Sequence, residues 1–299
     1  MNDTDQTKKV FKDKWSNNAK LGHLDIFDID SEITQWILNR NGWKNFADLE
    51  KFLSSKLTIL DAGCGNGRIT ALFSKLAPTS KITGWDINPE TAQRNLSDNK
   101  NVEILKQDLM DLNNSKFDFI YSQEVLHHVE SPRLAFQNLV SSLNYDGTIA
   151  IYVYKKKAPI REFTDEYIRN QIRNLNYEEA LHLMSDITNF GKKLSDLGIE
   201  IEIDEVKILE IPAGKYDLQR LFYHFFAKCF WNDGLTKEEN DAINFDWYGP
   251  QLASKHTIQE ILSWFEDCEL KVTRQVEDEY GITVHGQKPN SKILRQAIH

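Results

Sequence analysis

From residue 57 onward, the sequence alternates short apolar runs with stretches of helical periodicity. The apolar runs are LTILDAG, KITGWDI, VEILKQD, FDFIYSQ and TIAIYVY, at residues 57–63, 81–87, 102–108, 117–123 and 148–154. Helical patterns separate these runs, at about residues 68–76, 89–99 and 132–143. Strands that alternate with helices form a parallel sheet, because each helix carries the chain back across the sheet. Residues 57–156 therefore predict five strands of a doubly wound α/β sheet.

Helical segments precede and interrupt this pattern. Residues 1–56 and residues 157–256 both place apolar residues mainly at the three-to-four-residue spacing of helices. The sheet pattern then returns with a helix at 257–266 and two strands near 270–276 and 281–287. Because only a few residues separate these strands, we expect them to pair as an antiparallel hairpin. The prediction is a seven-stranded, mostly parallel sheet with an antiparallel last strand.

The first predicted strand leads into a glycine-rich loop, in the sequence ILDAGCGNG of residues 59–67. Gly63, Gly65 and Gly67 lack a Cβ atom, so the backbone can turn tightly and approach a ligand closely at the start of the next helix. An acidic residue, Asp61, precedes the loop. Ligands of open parallel sheets bind beyond the carboxyl ends of the strands. The loop therefore predicts a cofactor site at that edge.

A second acidic residue, Asp86, ends the second predicted strand in the sequence GWDINPE. A carboxylate at this position can accept two hydrogen bonds from the diol of a ribose. Ile87 follows directly and is expected to lie on the adenine face. The pair predicts a cofactor that contains an adenosine.

These motifs and the order of the strands resemble the class I (seven-stranded, Rossmann-like) S-adenosylmethionine-dependent methyltransferase family. The resemblance implies that the glycine loop lies against the methionine portion of S-adenosyl-L-methionine and that Asp61 orders the amine nearby. It implies that Asp108, in ILKQDLMDL, receives the adenine amino group beside Leu109. It also implies that Gln123, in FDFIYSQEVLHHVESP, contacts the cofactor.

The resemblance also assigns roles to the three parts of the chain. Residues 1–56 are expected to form a helical N-terminal lid, in which Trp15 closes over the cofactor; an anchor in the core is the alternative for this side chain. Residues 57–156 and 257–299 are expected to form the cofactor-binding core. Residues 157–256 are expected to form a mostly helical substrate cap.

Candidate catalytic residues follow the fourth and fifth strands. His127 and His128 should lie near the sulfonium, where a histidine suits general-base work, although packing is the alternative. Arg161 stands at a predicted helix start, where a cation opposes the helix dipole, so we predict a functional role for it. With Tyr154 and the lysines of 155–157, it would form a cationic rim for a phosphorylated or carboxylated acceptor. A solvated charge run is the alternative for the lysines.

The sequence FDWYGPQLASKHT predicts a loop before the helix at 257–266. Trp247, Tyr248 and His256 are expected to line a substrate pocket from this loop, or else to fill the seam between the cap and the sheet. Aromatic loop residues are common in such pockets.

Composition narrows the remaining choices. The net charge of −9 disfavours nucleic acid as a partner, because phosphate backbones are bound through Lys and Arg. No apolar run reaches the roughly 20 residues of a membrane helix, and the polar N-terminus lacks a secretory signal, so we expect a cytoplasmic protein. The three cysteines have no metal-ligand spacing, so no metal is predicted. Oligomeric state is not readable.

The predicted function is methyl transfer from S-adenosyl-L-methionine to a small molecule or glycan precursor by in-line displacement, with O-methylation favoured over N-methylation. A nicotinamide-dependent oxidoreductase is one alternative, but its fingerprint is G-x-G-x-x-G, whereas the loop reads G-x-G-x-G. A regulatory protein that binds the cofactor without catalysis is the other.

Overall fold

The computed structural model describes residues 2–290, which divide into two compact units. One unit, here called the sheet unit, contains residues 11–155 and the chain from residue 256 onward. The other, here called the insert unit, contains residues 156–255 together with the N-terminal residues up to Val10. Residues 291–299, which the predicted core includes, lie outside the described residues.

Helices and strands follow one another along the described chain with short connections. In chain order they are α1 (Asp3–Asn17), α2 (Glu32–Asn41), α3 (Phe46–Leu53), β1 (Thr58–Ala62), α4 (Arg68–Leu76), β2 (Lys81–Asp86), α5 (Glu90–Asn95), β3 (Val102–Lys106), β4 (Phe117–Gln123), α6 (Pro132–Ser141), β5 (Leu143–Tyr154), α7 (Pro159–Ile172), α8 (Tyr177–Asp196), β6 (Glu200–Ile203), β7 (Gly214–Asp217), α9 (Leu218–Phe225), α10 (Lys237–Tyr248), α11 (Ile258–Asp267), β8 (Lys271–Glu277) and β9 (Gly281–Gln287). Within residues 2–290, none of the helices has both the length and the apolar character that a bilayer crossing requires.

The sheet unit is built on a seven-stranded sheet in the order β3-β2-β1-β4-β5-β9-β8. Strands β1 to β5 are parallel, and β9 runs antiparallel to both β5 and β8. The predicted fold class is confirmed, including the antiparallel last strand. The register places Asp61 beside Tyr121 and Gln123 beside Tyr152. The carboxyl ends of β1, β4 and β5 therefore meet at one edge of the sheet.

The start of β5 differs from the prediction. The strand begins at Leu143 rather than Thr148, and α6 ends at Ser141. Leu143 pairs with Phe117 before the register of β4 and β5 shifts. The sequence NYDG resembles a turn, and Asp146 does adopt a left-handed φ of 62°. The register of β4 and β5 passes from Leu143 directly to Thr148, so residues 144–147 form an irregularity within the strand, in keeping with their turn preference.

Apolar layers cover both faces of the sheet, because successive side chains of a strand point to opposite faces. One layer contains Leu60, Ile120 and Ile151 with the aromatic residues of α6 and α11. The other contains Ile59 and Phe119 with residues of α2, α3 and α4. Burial on both faces explains why these strands are apolar runs rather than alternating ones, and it leaves the strand ends as the places for polar chemistry.

The insert unit is mostly helical, as the sequence predicts, but it also contains an antiparallel pair, β6 and β7. Isoleucines at 199, 201 and 203 alternate with acidic residues, a pattern that is typical of strands and that the helical interpretation missed. The predicted loop at Trp247 and Tyr248 is wrong, since α10 continues to Tyr248. A capping box at its N-terminus, formed by Thr236 and Glu239, starts this helix.

Candidate active site at the carboxyl edge of the sheet

The glycine loop joins β1 to α4 through a tight reversal of the backbone. The N–H of Gly63 donates to the carbonyl of Trp85 over 2.7 Å, and the N–H of Gly67 donates to the carbonyl of Cys64 over 2.8 Å. Gly63 has a φ of 84°, and a Cβ atom there would lie 2.3 Å from Cγ2 of Val125. Only glycine fits this position without a clash or a strained backbone. The loop therefore presents bare backbone at the edge where ligands of such sheets bind.

Asp86 reaches from the end of β2 to this loop. Its Oδ2 accepts the N–H of Gly65 over 2.8 Å, and its Oδ1 accepts the N–H of Asn88 over 2.8 Å. Each oxygen keeps capacity for a further hydrogen bond. The carboxylate is thus fixed by two backbone donors and available to a diol, which is the geometry that a ribose requires.

Asp61 lies buried at the end of β1. The hydroxyl of Thr70 donates to its Oδ2 over 2.6 Å. Burial, with a smaller effect from the charge of Asp86, raises the pKa of Asp61 to about 7 against the opposing hydrogen bond from Thr70. Burial likewise raises the pKa of Asp86 to about 6, opposed by the N–H groups of Asn88 and Gly65. Neither carboxylate has an ion pair within residues 2–290, so the cationic amine and hydroxyl donors of S-adenosyl-L-methionine fit the site.

These raised pKa values predict that cofactor binding depends on pH. Both folded-state pKa values lie above the ordinary value of an aspartate, so below pH 7 the free protein holds protons that a bound cofactor must displace. From values of about 7 and 6, affinity for S-adenosylhomocysteine at pH 6 should be about twentyfold lower than at pH 8. Calorimetry in buffers of different ionisation enthalpy will measure both the dissociation constant and the protons released. Asp61→Asn should flatten the profile, and a pH-independent affinity of the unaltered protein would contradict the assignment.

Trp15 lies against the glycine loop. A Cβ atom at Gly65 would be 2.9 Å from Cε2 and Cζ2 of the indole. The Nζ of Lys14 lies 4.2 Å from the centroid of the same ring, and the hydroxyl of Thr91 donates to the carbonyl of Trp15 over 3.5 Å. The predicted lid residue thus contacts the loop that it is predicted to cover.

The third strand brings the adenine candidates close to Asp86. The N–H of Gln107 donates to the carbonyl of Asp86 over 3.0 Å, which joins the ends of β2 and β3. Asp108 accepts the N–H of Met110 at its Oδ1 over 3.0 Å. Leu109 is buried in an apolar layer, and Ile87 is half-buried. Asp86, Ile87 and Asp108 therefore lie at neighbouring strand ends, as predicted.

Gln123 ends a line of buried polar side chains that the sequence did not reveal. Its Oε1 accepts the hydroxyl of Tyr121, which in turn accepts the Nδ2 of Asn41 over 3.3 Å. The Oδ1 of Asn41 lies 2.8 Å from Nε2 of His285. Burial lowers the pKa of His285 to about 4, with a smaller effect from Arg274, so this imidazole is neutral at pH 7. The line holds Gln123 in one orientation.

The two histidines after β4 have different surroundings. His127 is fully buried, its Nδ1 accepts the N–H of Tyr154 over 3.2 Å, and its ring stacks on that tyrosine with centroids 3.6 Å apart. Burial holds the pKa of His127 well below its usual range. The bond at Nδ1 places the proton of the neutral ring on Nε2. These contacts favour packing for His127. His128 is half-buried, with its ring 4.8 Å from that of Phe11 and 5.5 Å from that of Tyr154.

Arg161 is not part of an exposed cationic rim. It lies in the first turn of α7 with 1% of its surface exposed, and its Nε donates to Oδ1 of Asp165 over 2.7 Å. Its Nη1 donates to the carbonyl of Tyr223. Asp165, one turn later on the same helix, offsets the positive charge that Arg161 places at the helix start. Among the rim lysines, Lys155 pairs with Glu277 over 2.6 Å.

The predicted aromatic pocket residues are also buried. The indole N–H of Trp247 donates to Oδ2 of Asp165 over 2.8 Å, and the hydroxyl of Tyr248 donates to the carbonyl of Lys228 over 3.2 Å. Both rings thus belong to the interior of the insert unit. His256 belongs to the sheet unit, where its N–H donates to the carbonyl of Tyr154 over 2.9 Å and its Nδ1 lies 2.9 Å from Oε1 of Glu260.

Comparison with known proteins supports the same assignment. The family described as "Methyltransferase domain" matches residues 60–151. A malonyl-[acyl-carrier protein] O-methyltransferase of Ilyobacter polytropus is 31% identical over 130 residues, which cover 38% of this chain and 48% of that protein. A ubiquinone biosynthesis O-methyltransferase of Rickettsia canadensis is 29% identical over 170 residues, covering 55% and 71%. The chain thus spans about half the length of the first of these relatives.

A solved structure agrees with the fold. PKMT2 from Rickettsia typhi, in complex with AdoHcy, superimposes with a TM-score of 0.52 at 16% identity and covers 80% of this chain and 49% of that one. At this identity the likeness concerns the fold alone. The matched domain, the strand order and the acidic residues at successive strand ends agree with one another. Residues 60–151 thus match a methyltransferase domain, and they lie in a seven-stranded sheet with the strand order of the Rossmann-like methyltransferase fold.

Proposed function

We propose that the chain transfers a methyl group from S-adenosyl-L-methionine to an oxygen atom of a small molecule or a glycan precursor. The observation that carries the proposal is Asp86, fixed by the N–H groups of Gly65 and Asn88 beside buried Asp61 at the carboxyl edge of the sheet. The names of the two relatives, both O-methyltransferases, support oxygen over nitrogen as the methyl acceptor.

The proposed roles follow from this geometry. Asp86 accepts the ribose hydroxyls, Asp61 and the glycine loop hold the methionine portion, and Asp108 receives the adenine amino group. Gln123 contacts the cofactor in the orientation set by Tyr121. The bound sulfonium supplies an activated methyl group. Because the displacement is in-line, the chief task of these residues is to hold the donor so that an acceptor can align with it.

We further propose that residues 1–56 serve as a lid through Trp15 and that residues 157–256 select the acceptor. A hydroxyl acceptor loses a proton during transfer, and we assign its removal to His128 rather than to His127, which is buried and accepts a backbone N–H at Nδ1. A small-molecule acceptor also fits the acidic net charge.

The direct test is to incubate the purified chain with S-adenosylmethionine labelled in the methyl group and with pools of hydroxylated and carboxylated small molecules. Mass spectrometry would then locate the label. Methyl ethers or esters are the expected products. Label on nitrogen alone would contradict O-methylation, and cofactor binding without transfer to any pool would favour a regulatory protein.

Replacement of His128 should separate catalysis from cofactor binding. Once an acceptor is known, His128→Ala should lower kcat by about 100-fold, as loss of a general base does, while affinity for S-adenosylhomocysteine stays constant. His182→Ala makes the same change at an exposed position of α8 and should have no effect. Steady-state kinetics measures both, and an unchanged kcat in His128→Ala would remove this residue from the mechanism.

A further inference from the structure

Arg40 occupies an unusual position at the end of α2. Its side chain is almost wholly buried, with 4% of the residue exposed. The guanidinium carbon lies 3.8 Å from the centroid of Trp36 and 4.3 Å from that of Tyr152. These two rings meet edge-to-face at 5.5 Å. The guanidinium therefore contacts both rings in the angle between them, where cation–π attraction holds it in place.

Only part of this guanidinium is satisfied by the protein. Nη2 donates to Asp278, with Oδ2 at 2.9 Å. Asp278 is itself fixed, because its Oδ1 accepts the N–H groups of Tyr280 and Gly281 over 2.8 and 2.9 Å. Nε and Nη1 of Arg40, in contrast, have no hydrogen-bond partner anywhere in residues 2–290. A buried charged donor without an acceptor lowers the stability of the fold, so the two nitrogens Nε and Nη1 require an explanation.

The position of the guanidinium supplies one. Tyr152, which it contacts, stands beside Gln123 in the sheet. The next residue, Glu124, donates its N–H to the carbonyl of Tyr152 over 3.3 Å and has a left-handed φ of 59°. Such strain in a residue other than glycine is common at functional sites. Arg40 thus lies by the carboxyl ends of β4 and β5, at the edge where ligands of open parallel sheets bind.

A purely structural role does not account for these details. A cation near the end of α2 is favourable to the helix dipole, but a surface lysine would serve equally. The chain also keeps glycine at position 281, where a Cβ atom would lie 2.4 Å from the hydroxyl of Tyr152. Tyr152, whose ring contacts the guanidinium, can therefore hold this position only because residue 281 has no side chain. Tyr152 and Asp278 thus fix the guanidinium of Arg40 in one position. Its Nε and Nη1 have no acceptor in residues 2–290.

We infer that Arg40 binds a carboxylate carried by the acceptor, through an N–H of Nη1 or of Nε, neither of which donates to a protein acceptor in residues 2–290. Charge-assisted hydrogen bonds to a planar carboxylate suit a guanidinium. Asp278 already pairs with the guanidinium of Arg40 and offsets its charge, so a singly charged carboxylate is favoured over a dianionic phosphate. Trp36 and Tyr152 offer apolar surface for the body of the ligand. This inference rests on the proposed function and makes Arg40 a specificity-determining residue.

The test uses the full chain saturated with S-adenosylhomocysteine and titrates benzoate, its neutral isostere benzamide, and inorganic phosphate by calorimetry. Benzoate is expected to bind with a millimolar dissociation constant, and benzamide and phosphate at least about tenfold more weakly. Arg40→Gln should weaken benzoate by about tenfold or more, and Arg40→Lys by less. The control, Arg133→Gln, removes an exposed arginine paired with Asp267 and should bind benzoate as the unaltered protein does.

Affinity for S-adenosylhomocysteine, measured on each variant, reports on folding and should change little. Equal binding of benzoate and benzamide by the unaltered protein would overturn the inference without any variant. So would the absence of benzoate binding up to about 50 mM, or undiminished binding by a folded Arg40→Gln. Failure of the unaltered protein to bind S-adenosylhomocysteine is a different result, which would contradict the proposed function itself.

Discussion

Replacement of Asp86 by asparagine should weaken the binding of S-adenosylhomocysteine by about 100-fold or more. The carboxylate is expected to accept two hydrogen bonds from the ribose, and charge-assisted bonds contribute about 1.5–3 kcal/mol each. Asparagine keeps one acceptor oxygen, which cannot serve both backbone donors, Gly65 and Asn88, that the carboxylate now serves. The amide would therefore also loosen the glycine loop. Calorimetry with S-adenosylhomocysteine measures the affinity, and thermal unfolding without ligand measures the cost to the fold.

The matched control for this change is Asp111→Asn. Asp111 is exposed and belongs to the connection after β3, so the same chemical change there should leave the affinity unaltered. If Asp86→Asn unfolds at the temperature of the unaltered protein and binds S-adenosylhomocysteine equally well, this carboxylate does not contact the cofactor. The assignment of the site along β2 would then be wrong.

Introducing a single methyl group at position 63 should lower the free energy of unfolding by about 2–4 kcal/mol. In Gly63→Ala the new Cβ would lie 2.3 Å from Cγ2 and 2.5 Å from Cγ1 of Val125, and the residue would hold a φ of 84°. Both the clash and the left-handed backbone oppose the native loop. Denaturant unfolding, followed by circular dichroism, measures the loss, and affinity for S-adenosylhomocysteine should fall with it.

A second glycine separates the two causes. Gly22 has a φ of 68°, but its nearest neighbour would be the flexible end of Arg68 at 3.1 Å, so Gly22→Ala should cost only about 1 kcal/mol. In the double variant Gly63→Ala with Val125→Ala, removal of the valine methyls should recover part of the loss. Equal costs for the two glycine substitutions would show that the contact with Val125 does not matter.

The strands and the cofactor motifs were predictable because both depend on local sequence. Five buried strands are apolar runs of the correct length, and the glycines and Asp86 stand at fixed offsets from the strand ends. The turn preference of NYDG predicts a start of β5 at Thr148, and only the folded chain shows Leu143 pairing with Phe117 before that irregularity. Tertiary contacts override local preference in such segments.

The partners of charged and aromatic side chains were not predictable. Arg161 reads as an exposed cation at a helix start; Asp165, four residues later, is visible as a partner in the sequence, but only the folded chain shows that the pair is buried. Trp247 and Tyr248 read as loop residues because Gly249 and Pro250 follow them, although the helix uses these residues as its end. Arg40, Asn41 and His285 carried no sequence signal, since they are far apart in the chain and meet only across α2 and the sheet.

The segment between residues 155 and 256 leaves and rejoins the sheet at a single point. Lys155 pairs with His256 as an isolated parallel bridge, and the N–H of His256 donates to the carbonyl of Tyr154 over 2.9 Å. Because its two ends are neighbours, a change in the length or identity of the intervening hundred or so residues is expected to leave the strands of the seven-stranded sheet in place. We therefore expect this segment to be replaceable, and hybrid proteins joined at residues 155 and 256 should retain the seven-stranded sheet.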